Sequence, residues 1–369
     1  MPARRNPFRP TAGATPPILV GRHGLLEQYA ESIDDGPGAP WLLTLVTGAR
    51  GVGKTVMLTE LGDVARAKGW VVIDETATRG VMERIAAQAD RHRSELGSPD
   101  RARVVGGSIG SVISIDLDTP ERPVKSWRQR VGALLDVLAG HETGLVVTID
   151  EIHGMDTGEL AELAACVQHL IRDGRAISLV MAGLPSAVND LLNGDVSTFL
   201  RRAERMQLDN VPLRMIADSL KEIFEDGGLR ISEEDLAEAV AATQGYPFMI
   251  QLVGYHLWRR ADDQGHLNHE AVTEGIEAAR QRLGTMVIAA ALADLSRMDR
   301  TVLSAMACTD GPSRTADIAR AIGRDSKYVG VYRARLMAAG MIRPVGHGQV
   351  DFAMPYLREY LAGLVGLAD

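Results

Sequence analysis

A glycine-rich segment ending in lysine and threonine holds the residue types best suited to chemistry in this sequence. It reads Gly48-Ala49-Arg50-Gly51-Val52-Gly53-Lys54-Thr55, in which four residues separate the two outer glycines. Glycines allow successive backbone N–H groups to turn inward around a phosphate, and the lysine brings a positive charge to the terminal phosphates. The threonine hydroxyl is a suitable ligand for Mg²⁺. The spacing therefore predicts a site for the β- and γ-phosphates of a nucleoside triphosphate.

The segments on either side are those that must position such a loop. The apolar run Leu42–Val46 precedes it and predicts a buried strand, and the amphipathic stretch Thr55–Lys68 predicts a helix. The N-terminus of this helix would add a partial positive charge beside the phosphates. The loop residues expected to bind nucleotide are Gly48, Ala49, Arg50, Gly51, Val52, Gly53, Lys54, Thr55 and Val56.

A pair of carboxylates follows another apolar run. Leu145–Ile149 predicts a buried strand, and Asp150 and Glu151 come directly after it. Ligands of a parallel sheet lie at the carboxyl ends of its strands, so both carboxylates are expected beside the phosphates. Asp150 is expected to hold Mg²⁺ with Thr55, and Glu151 to orient or deprotonate the attacking water, with Lys54 stabilising the phosphates. No guanine-reading NKxD motif follows the loop, which favours ATP and ADP over guanine nucleotides.

The apolar pattern divides the chain into a tail and three units. Residues 18–213 alternate β-branched runs with amphipathic stretches, which predicts an α/β domain with a parallel sheet. Within it, residues 94–118 are rich in glycine, serine and charge and are expected to form a mobile insertion. Residues 214–290 read as four helices separated by cap and turn signals, which predicts a helical lid. Residues 1–17 combine arginines and prolines and are expected to be disordered.

The third unit, residues 295–369, is expected to be a winged helix. Three helical segments are followed by two short apolar strands around a Gly-His-Gly turn. Residues 295–355 carry nine Lys and Arg against five Asp, whereas the whole chain has a net charge of −8. The local excess of positive charge supports a surface for double-stranded DNA, with the third helix in the major groove. Two alternatives stay open, namely contact with protein alone and a role as an inhibitory cap over the nucleotide. The residues expected to face DNA are Arg324, Lys327, Arg333, Arg335 and His347.

These motifs together resemble those of AAA+ and STAND-type P-loop ATPases, near the origin-recognition and initiator branch and related bacterial ATP-binding proteins. Besides the loop and the "DEIH" that ends the acidic strand, the chain has "ILVGRHGLLEQY" before the loop, "FLRRAERMQL" and "GYP". The resemblance covers roughly residues 18–285. It implies that Val20, Gly21 and Arg22 help to enclose the adenine and that Pro247 packs beside the nucleotide. It also implies that Arg201 or Arg202 acts as an arginine finger on a neighbouring subunit, which would make hydrolysis depend on self-association.

Two positions depart from the family pattern. Ala182-Gly183-Leu184-Pro185 stands where the family has a polar residue that senses the γ-phosphate, and Ser186 is the nearest hydroxyl. "GYPF" from Gly245 stands where initiator-type relatives keep a second sensor, an arginine. We therefore expect ATP hydrolysis to be slow or to depend on a partner.

The composition is that of an ordinary cytoplasmic protein without a membrane segment. No apolar run approaches the ~20 residues that a membrane helix needs. The two cysteines, Cys166 and Cys308, are far apart and are interpreted as buried structural thiols rather than a disulfide. The leading hypothesis is an ATP-binding switch that controls how a DNA-associated winged helix is presented. The alternative is a STAND-like signalling ATPase whose winged helix contacts only protein.

Overall fold

The computed structural model describes residues 5–11, 20–96, 126–193 and 198–366. The insertion expected over 94–118 lies outside these residues, except that 94–96 are the last residues of a helix. Among the helices of the described residues, none has the length and apolar character needed to cross a membrane.

A five-stranded parallel sheet forms the centre of the first unit. Its spatial order is β2-β3-β4-β1-β5, so one strand lies between the strand before the glycine-rich loop and the strand that carries the acidic pair. The strands are β1 Leu43–Gly48, β2 Val71–Thr76, β3 Leu145–Asp150, β4 Ile177–Gly183 and β5 Glu204–Leu208. The helices of this unit are α1 His23–Asp35, α2 Lys54–Ala67, α3 Val81–Leu96, α4 Trp127–Ala139, α5 Thr157–Arg172 and α6 Pro185–Asn193.

The sheet is buried on both faces, which explains its continuous apolar runs. Every residue of β4 is buried, as are the first five of β3. Successive residues point to opposite faces, so Leu45 and Val147 join one core cluster while Val46 and Val146 join the other. Helix α2 packs on the second face, and α3, α4 and α5 cover the first.

Four helices follow the sheet and form the lid: α7 Leu213–Asp226, α8 Glu233–Thr243, α9 Pro247–Trp258 and α10 His269–Leu283. Side-chain caps start two of them, because Ser232 Oγ accepts from the Asp235 amide and Asn268 Oδ1 accepts from the Ala271 amide. Proline at the first position of α9 fits a helix start, since its missing N–H would have no partner there. A π-helical turn, Gly284–Ile288, continues α10 into α11, Ala289–Ala293.

The last unit contains three helices and a small antiparallel sheet. The helices are α12 Arg297–Ala307, α13 Thr315–Ala321 and α14 Ser326–Ala338. The strands are β6 Ser313–Arg314, β7 Ile342–Gly346 and β8 Gln349–Phe352, with β8 in the centre. A further helix, α15 Leu357–Gly366, packs against α12 and was not predicted from the sequence.

The N-terminal tail differs from the expectation of disorder over residues 5–11. Phe8 is only 3% exposed and packs against Phe224 and Trp258 of the lid. The burial of Phe8 could not be predicted from this arginine- and proline-rich segment, because a single aromatic residue gives no hydrophobic period.

Two further expectations require correction. On a helix, Arg201 and Arg205 of "FLRRAERMQL" would share one face, but Arg205 lies on β5 and only Leu200–Arg202 forms a helical turn. Of the two cysteines, both expected to be buried, Cys308 is exposed and Cys166 is partly buried. Cys308 follows the last residue of α12, where the apolar face of the helix no longer covers it.

Candidate functional site

The glycine-rich loop turns Lys54 inward. The ammonium Nζ donates to the carbonyl oxygens of Gly48 and Ala49, at 3.1 Å and 2.9 Å, and the side chain is buried. Burial lowers the pKa of the Lys54 ammonium, while the nearby carboxylates of Glu151 and Asp150 act in the opposite direction. A lysine already held against the loop is therefore positioned to exchange these carbonyl contacts for phosphate oxygens.

Glycine is required at particular positions of this loop. Gly51 and Gly53 have φ values of 74° and 93°, in the left-handed region that other residues rarely adopt. At Gly48 the reason is space, since a Cβ there would lie 2.6 Å from the carbonyl oxygen of Leu208 on β5. The glycines thus fold the backbone into an inward-facing curve and let it pass close to the neighbouring strand.

Thr55 and the acidic pair meet at the carboxyl end of β3. Thr55 Oγ1 donates to Asp150 Oδ2 at 2.5 Å, and the Glu151 amide donates to Asp150 Oδ1 at 2.8 Å. A hydroxyl and a carboxylate in direct contact form a set of hard oxygen donors, which fits Mg²⁺. The two residues predicted as metal ligands are therefore adjacent.

Glu151 has an unusual backbone conformation. Its φ of 55° is left-handed, and its carboxylate Oε2 lies 3.1 Å from His153 Nδ1. Both side chains are about half exposed toward the cavity in front of the loop. The predicted general base thus faces the place where the terminal phosphate would lie, and His153 contacts it.

A cavity of about 390 Å³ connects the loop with the lid. Its polar end is formed by the loop from Arg50 to Thr55, together with Glu151 and His153. Its other end is mostly apolar and includes Val20, Arg22 and Pro247 of the predicted nucleotide-binding residues. The residues of this end that the sequence did not single out are Phe248, Ile250, Gln251, Met286 and Val287, and Arg9 and Thr11 line the same cavity.

Among the predicted nucleotide-binding residues, Gly21, Gly48 and Ala49 do not line this cavity. Gly21, at a φ of 74°, packs against Met215, and Arg22 Nη2 donates to the carbonyl of Asp209. Gly48 and Ala49 line a separate cavity of about 630 Å³ behind the loop, which extends to the C-terminal unit. Val56 lines the nucleotide cavity just after the loop.

Tyr246, which lies between Gly245 and Pro247 and was not predicted as a site residue, joins the lid to the loop. Its hydroxyl donates to the carbonyl of Arg50 at 2.9 Å, and its ring is buried. A Cβ at Gly51 would lie 1.7 Å from that hydroxyl, so the tyrosine occupies the space left by the missing side chain. In the sequence, the only indication of this contact was an aromatic residue directly before the proline that begins α9.

The arginine-finger candidates lie at the amino ends of the parallel strands, whereas the phosphate loop lies at their carboxyl ends. Arg201 and Arg202 come just before β5, whose first residue pairs with Thr44, whereas Gly48 at the loop pairs with the last residue, Leu208. The length of the strand, about 17 Å, therefore separates them from the loop of their own chain. Arg201 Nε donates to the carbonyl of Leu192, and both arginines are exposed.

Ser186 does not face the phosphate end of the cavity. Its hydroxyl donates to the carbonyl of Ala338, the last residue of α14, at 3.0 Å. The serine that could have replaced the missing sensor is therefore engaged by the C-terminal unit.

The residues predicted to face DNA differ in their surroundings. Arg324, Lys327 and His347 are exposed. Arg335 donates to the buried carboxylate of Asp299 at 2.9 Å, so it also stabilises the unit internally. Arg333 is only half exposed, and its Nε is buried.

Comparison with known proteins supports this architecture. Residues 18–180 match the family model of an AAA ATPase domain, and residues 285–361 match a domain of unknown function, DUF8462. The Walker-type ATPase PABY2304 of Pyrococcus abyssi is similar with a TM-score of 0.68 and 16% identity, over 93% of this chain and 96% of that chain. The ORC2 protein of Aeropyrum pernix, solved as ADPNP–ADP complexes, is similar with a TM-score of 0.59 and 16% identity, over 98% of both chains. No curated protein sequence matches the chain. Residues 18–180 are therefore similar to AAA ATPase domains, and the chain has the P-loop ATPase fold.

Proposed function

We propose that this protein binds ATP and ADP with Mg²⁺ and hydrolyses ATP slowly. The observation that carries the proposal is the convergence of Lys54, Thr55 and Glu151 on one cavity whose other end is apolar, with Asp150 bonded to the Thr55 hydroxyl. A charged end and an apolar end match the two halves of a nucleotide, the phosphates and the base. The presence of ADPNP and ADP in the A. pernix ORC2 complexes supports the same class of ligand.

Each residue has a distinct task in this proposal. Lys54 and the loop amides neutralise the β- and γ-phosphate oxygens, and the glycines provide the curvature. Thr55 and Asp150 would hold Mg²⁺, which when bound neutralises charge that develops on the phosphates. Glu151 orients a water molecule and accepts its proton as the water attacks the γ-phosphorus. The absent polar sensor and the engagement of Ser186 by Ala338 support slow turnover.

Isothermal titration calorimetry with Mg-ADP and Mg-ATP tests this proposal. The native chain is expected to release heat with both ligands, and the Lys54→Ala variant is expected to lose the interaction with its fold intact. Lys68→Ala, at the end of the same helix, is the matched control, because Lys68 pairs with Asp34 away from the cavity. No heat with either ligand would overturn the proposal.

We further propose that nucleotide controls how the C-terminal unit is presented. Arg50 of the loop supports this coupling because it meets both other units. Its carbonyl accepts from Tyr246 of the lid, and its guanidinium lies 3.9 Å from Asp294, which follows α11. A Cβ at Gly340, just after α14, would lie 3.8 Å from Arg50 Cγ. Movement of the loop on phosphate binding would therefore reach α14.

We propose double-stranded DNA as the partner of the C-terminal unit. Exposed Arg324, Lys327 and His347 support it, as does the local excess of positive charge. Titration of labelled duplex DNA at two salt concentrations, with and without ATP, is the test, since phosphate contacts weaken steeply as salt rises. Lys327→Ala should weaken binding more than Arg335→Ala, because Arg335 is held by Asp299. Absence of binding at low salt would remove the DNA proposal.

A STAND-like switch whose C-terminal unit contacts only protein is the second candidate. Val331 on α14 and Val345 near the tip of the β7–β8 hairpin are 58% and 43% exposed, which favours an apolar partner.

Mass measurement in solution with ADP and with a non-hydrolysable ATP analogue tests whether the nucleotide drives self-association. A monomer with ADP and an oligomer with the analogue would support an arginine finger from Arg201 or Arg202 of a neighbouring subunit.

A further inference from the structure

The segment from residue 5 to residue 11, here called the N-terminal strap, is anchored on the lid by Phe8. The Phe8 ring meets the rings of Phe224 and Trp258 edge-on, with centroids 5.9 Å and 6.3 Å away. Gly254 of α9 makes room for it, because a Cβ there would lie 2.2 Å from Phe8 Cε1. A fully packed aromatic residue fixes the strap at one point of the lid.

Polar contacts hold the strap along the same helix. Asn6 Nδ2 donates to the carbonyl of Tyr255 at 3.0 Å, and Asn6 Oδ1 accepts from the Phe8 amide at 3.0 Å. The Arg9 amide donates to Gln251 Oε1 at 3.1 Å. The strap therefore runs along α9 toward its first turn, which contains Pro247.

This path brings Arg9 to the apolar end of the nucleotide cavity. Gln251, which holds the Arg9 backbone, lines that cavity one turn after Pro247 and next to Ile250. Arg9 and Thr11 line the same cavity, and the Arg9 side chain is exposed to it. The phosphate loop forms the other end, so Arg9 lies on the side of the base and ribose.

Arg9 also differs from the other cations of the cavity in having no partner within the described residues. Arg22 donates to the Asp209 carbonyl, and Arg50 lies near Asp294. Lys54 is held by loop carbonyls, and His153 contacts Glu151. No side-chain hydrogen bond or ion pair joins Arg9 to any described part of the chain. Its five guanidinium N–H groups are therefore available to a ligand.

We propose that Arg9 binds the base and ribose of the nucleotide, so that the N-terminal strap completes the site from outside the motifs. The inference rests on the proposed nucleotide binding. A planar guanidinium stacks on a purine face and donates to ring nitrogens or ribose oxygens. Because the strap is anchored to α9, nucleotide bound by Arg9 is tied to the lid as well as to the sheet.

Competition binding with Mg-ADP and Mg-pyrophosphate tests this assignment, because pyrophosphate has the two phosphates of ADP without its base and ribose. Each ligand displaces a fluorescent ADP analogue from the native chain and from Arg9→Ala. We expect Arg9→Ala to raise the Kd for ADP about tenfold and to leave the Kd for pyrophosphate within about twofold of the native value. Arg5→Ala is the matched control, since it removes the same charge from the same strap at an exposed position outside the cavity lining.

The anchor provides a second test. Phe8→Ala should release the strap and weaken ADP binding, and adding Arg9→Ala to it should cause no further loss, because both changes remove the same contact. Equal losses for ADP and pyrophosphate in Arg9→Ala would overturn the assignment in favour of a phosphate contact. An unchanged Kd for ADP in Arg9→Ala, or the same loss in Arg5→Ala, would overturn it as well. Failure of the native chain to bind ADP would instead contradict the proposed function.

Discussion

Glu151 is held at the cavity by its own backbone conformation and by His153. A left-handed φ at a residue with a Cβ costs roughly 1 kcal/mol or more, and such positions persist where the surrounding structure determines them. Here the following residues form a short helical turn, Ile152–Gly154, and the first five residues of the preceding strand are buried. The carboxylate is thereby directed at the phosphate end rather than into solvent.

The Glu151→Gln variant is expected to keep its affinity for ATP and to lose turnover. An amide of the same size cannot accept the proton of the attacking water, which removes a factor of about 10²–10⁴ in rate. Steady-state phosphate release and calorimetry measure the two quantities. Glu142→Gln is a close control, because Glu142 is exposed and has a φ of 53° in a turn after α4. Hydrolysis by Glu151→Gln at the native rate would show that another residue is the base.

At the scale of elements, Tyr246, the residue before α9, brings the lid into direct contact with the glycine-rich loop. Burial raises the pKa of Tyr246, so its hydroxyl stays protonated and donates to the Arg50 carbonyl. The ring fills the space above Gly51. The lid and the glycine-rich loop are therefore packed directly against each other.

Tyr246→Phe is expected to lower the free energy of unfolding by about 1 kcal/mol, the usual net value of one hydrogen bond. The phenyl ring keeps the packing over Gly51, so the variant should fold. Urea titration measures the change, and Tyr255→Phe is the control, because among the described residues that hydroxyl bonds only the exposed Arg259 just after the same helix. Identical urea midpoints for Tyr246→Phe and the native chain would argue against this contact.

A second link between elements joins α8 to α10 and depends on pH. His269 Nδ1 donates to Asp235 Oδ1 at 2.8 Å, and this bond raises the pKa of His269. The pKa of Asp235 is lowered, first by the Ser232 hydroxyl and then by His269.

The pair should therefore stabilise the lid most at mildly acidic pH. A histidine whose pKa is raised on folding contributes stability that is complete below its unfolded pKa of about 6.5 and is lost as pH rises through its folded pKa. Asp235 contributes above its unfolded pKa of about 3.9 and loses the contribution as pH falls through its folded value. Thermal unfolding at pH 6 and pH 9 is the measurement. The deficit of His269→Gln relative to the native chain should be larger at pH 6, whereas the exposed His141→Gln should show no such dependence.

At the scale of the whole molecule, the C-terminal unit is docked on both other units. Ser186 donates to Ala338, and Tyr356 donates to the Ala242 carbonyl of the lid at 2.6 Å. Arg280 of α10 also lies over the Tyr356 ring, 4.8 Å from its centroid. The end of α14 is thus held near the phosphate loop.

Loosening this docking should change the dynamics of α14 without unfolding it. The double variant Ser186→Ala/Asp294→Asn removes one hydrogen bond and one exposed ion pair, which together contribute on the order of 1 kcal/mol. Hydrogen exchange at the last turn of α14 should become about fivefold faster. Ser304→Ala/Asp310→Asn, in α12 and the loop after it, is the control. Equal protection in the two double variants would contradict the docking contact.

Much of the site was predictable because its residues are contiguous. The loop from Gly48 to Thr55, the strand before it and the acidic end of β3 are short-range patterns, and the left-handed backbone at Gly51 and Gly53 requires glycine locally. The lid helices were also predictable, since caps such as Ser232 and Asn268 are local. The full extent of β5 was harder to predict, because five residues at a sheet edge carry little periodic signal.

By itself, therefore, the sequence determined a phosphate-binding loop, a parallel sheet that presents two carboxylates, and helical units after it. These features follow from residue spacing and from the hydrophobic period, which are local properties of one or two helical turns or strands. Tertiary structure alone decided that Tyr246 packs on the loop, that Ser186 binds Ala338 and that Arg9 reaches the cavity. Each of these contacts joins residues that are more than 100 positions apart, and packing between separate elements, rather than any local pattern, brings them together.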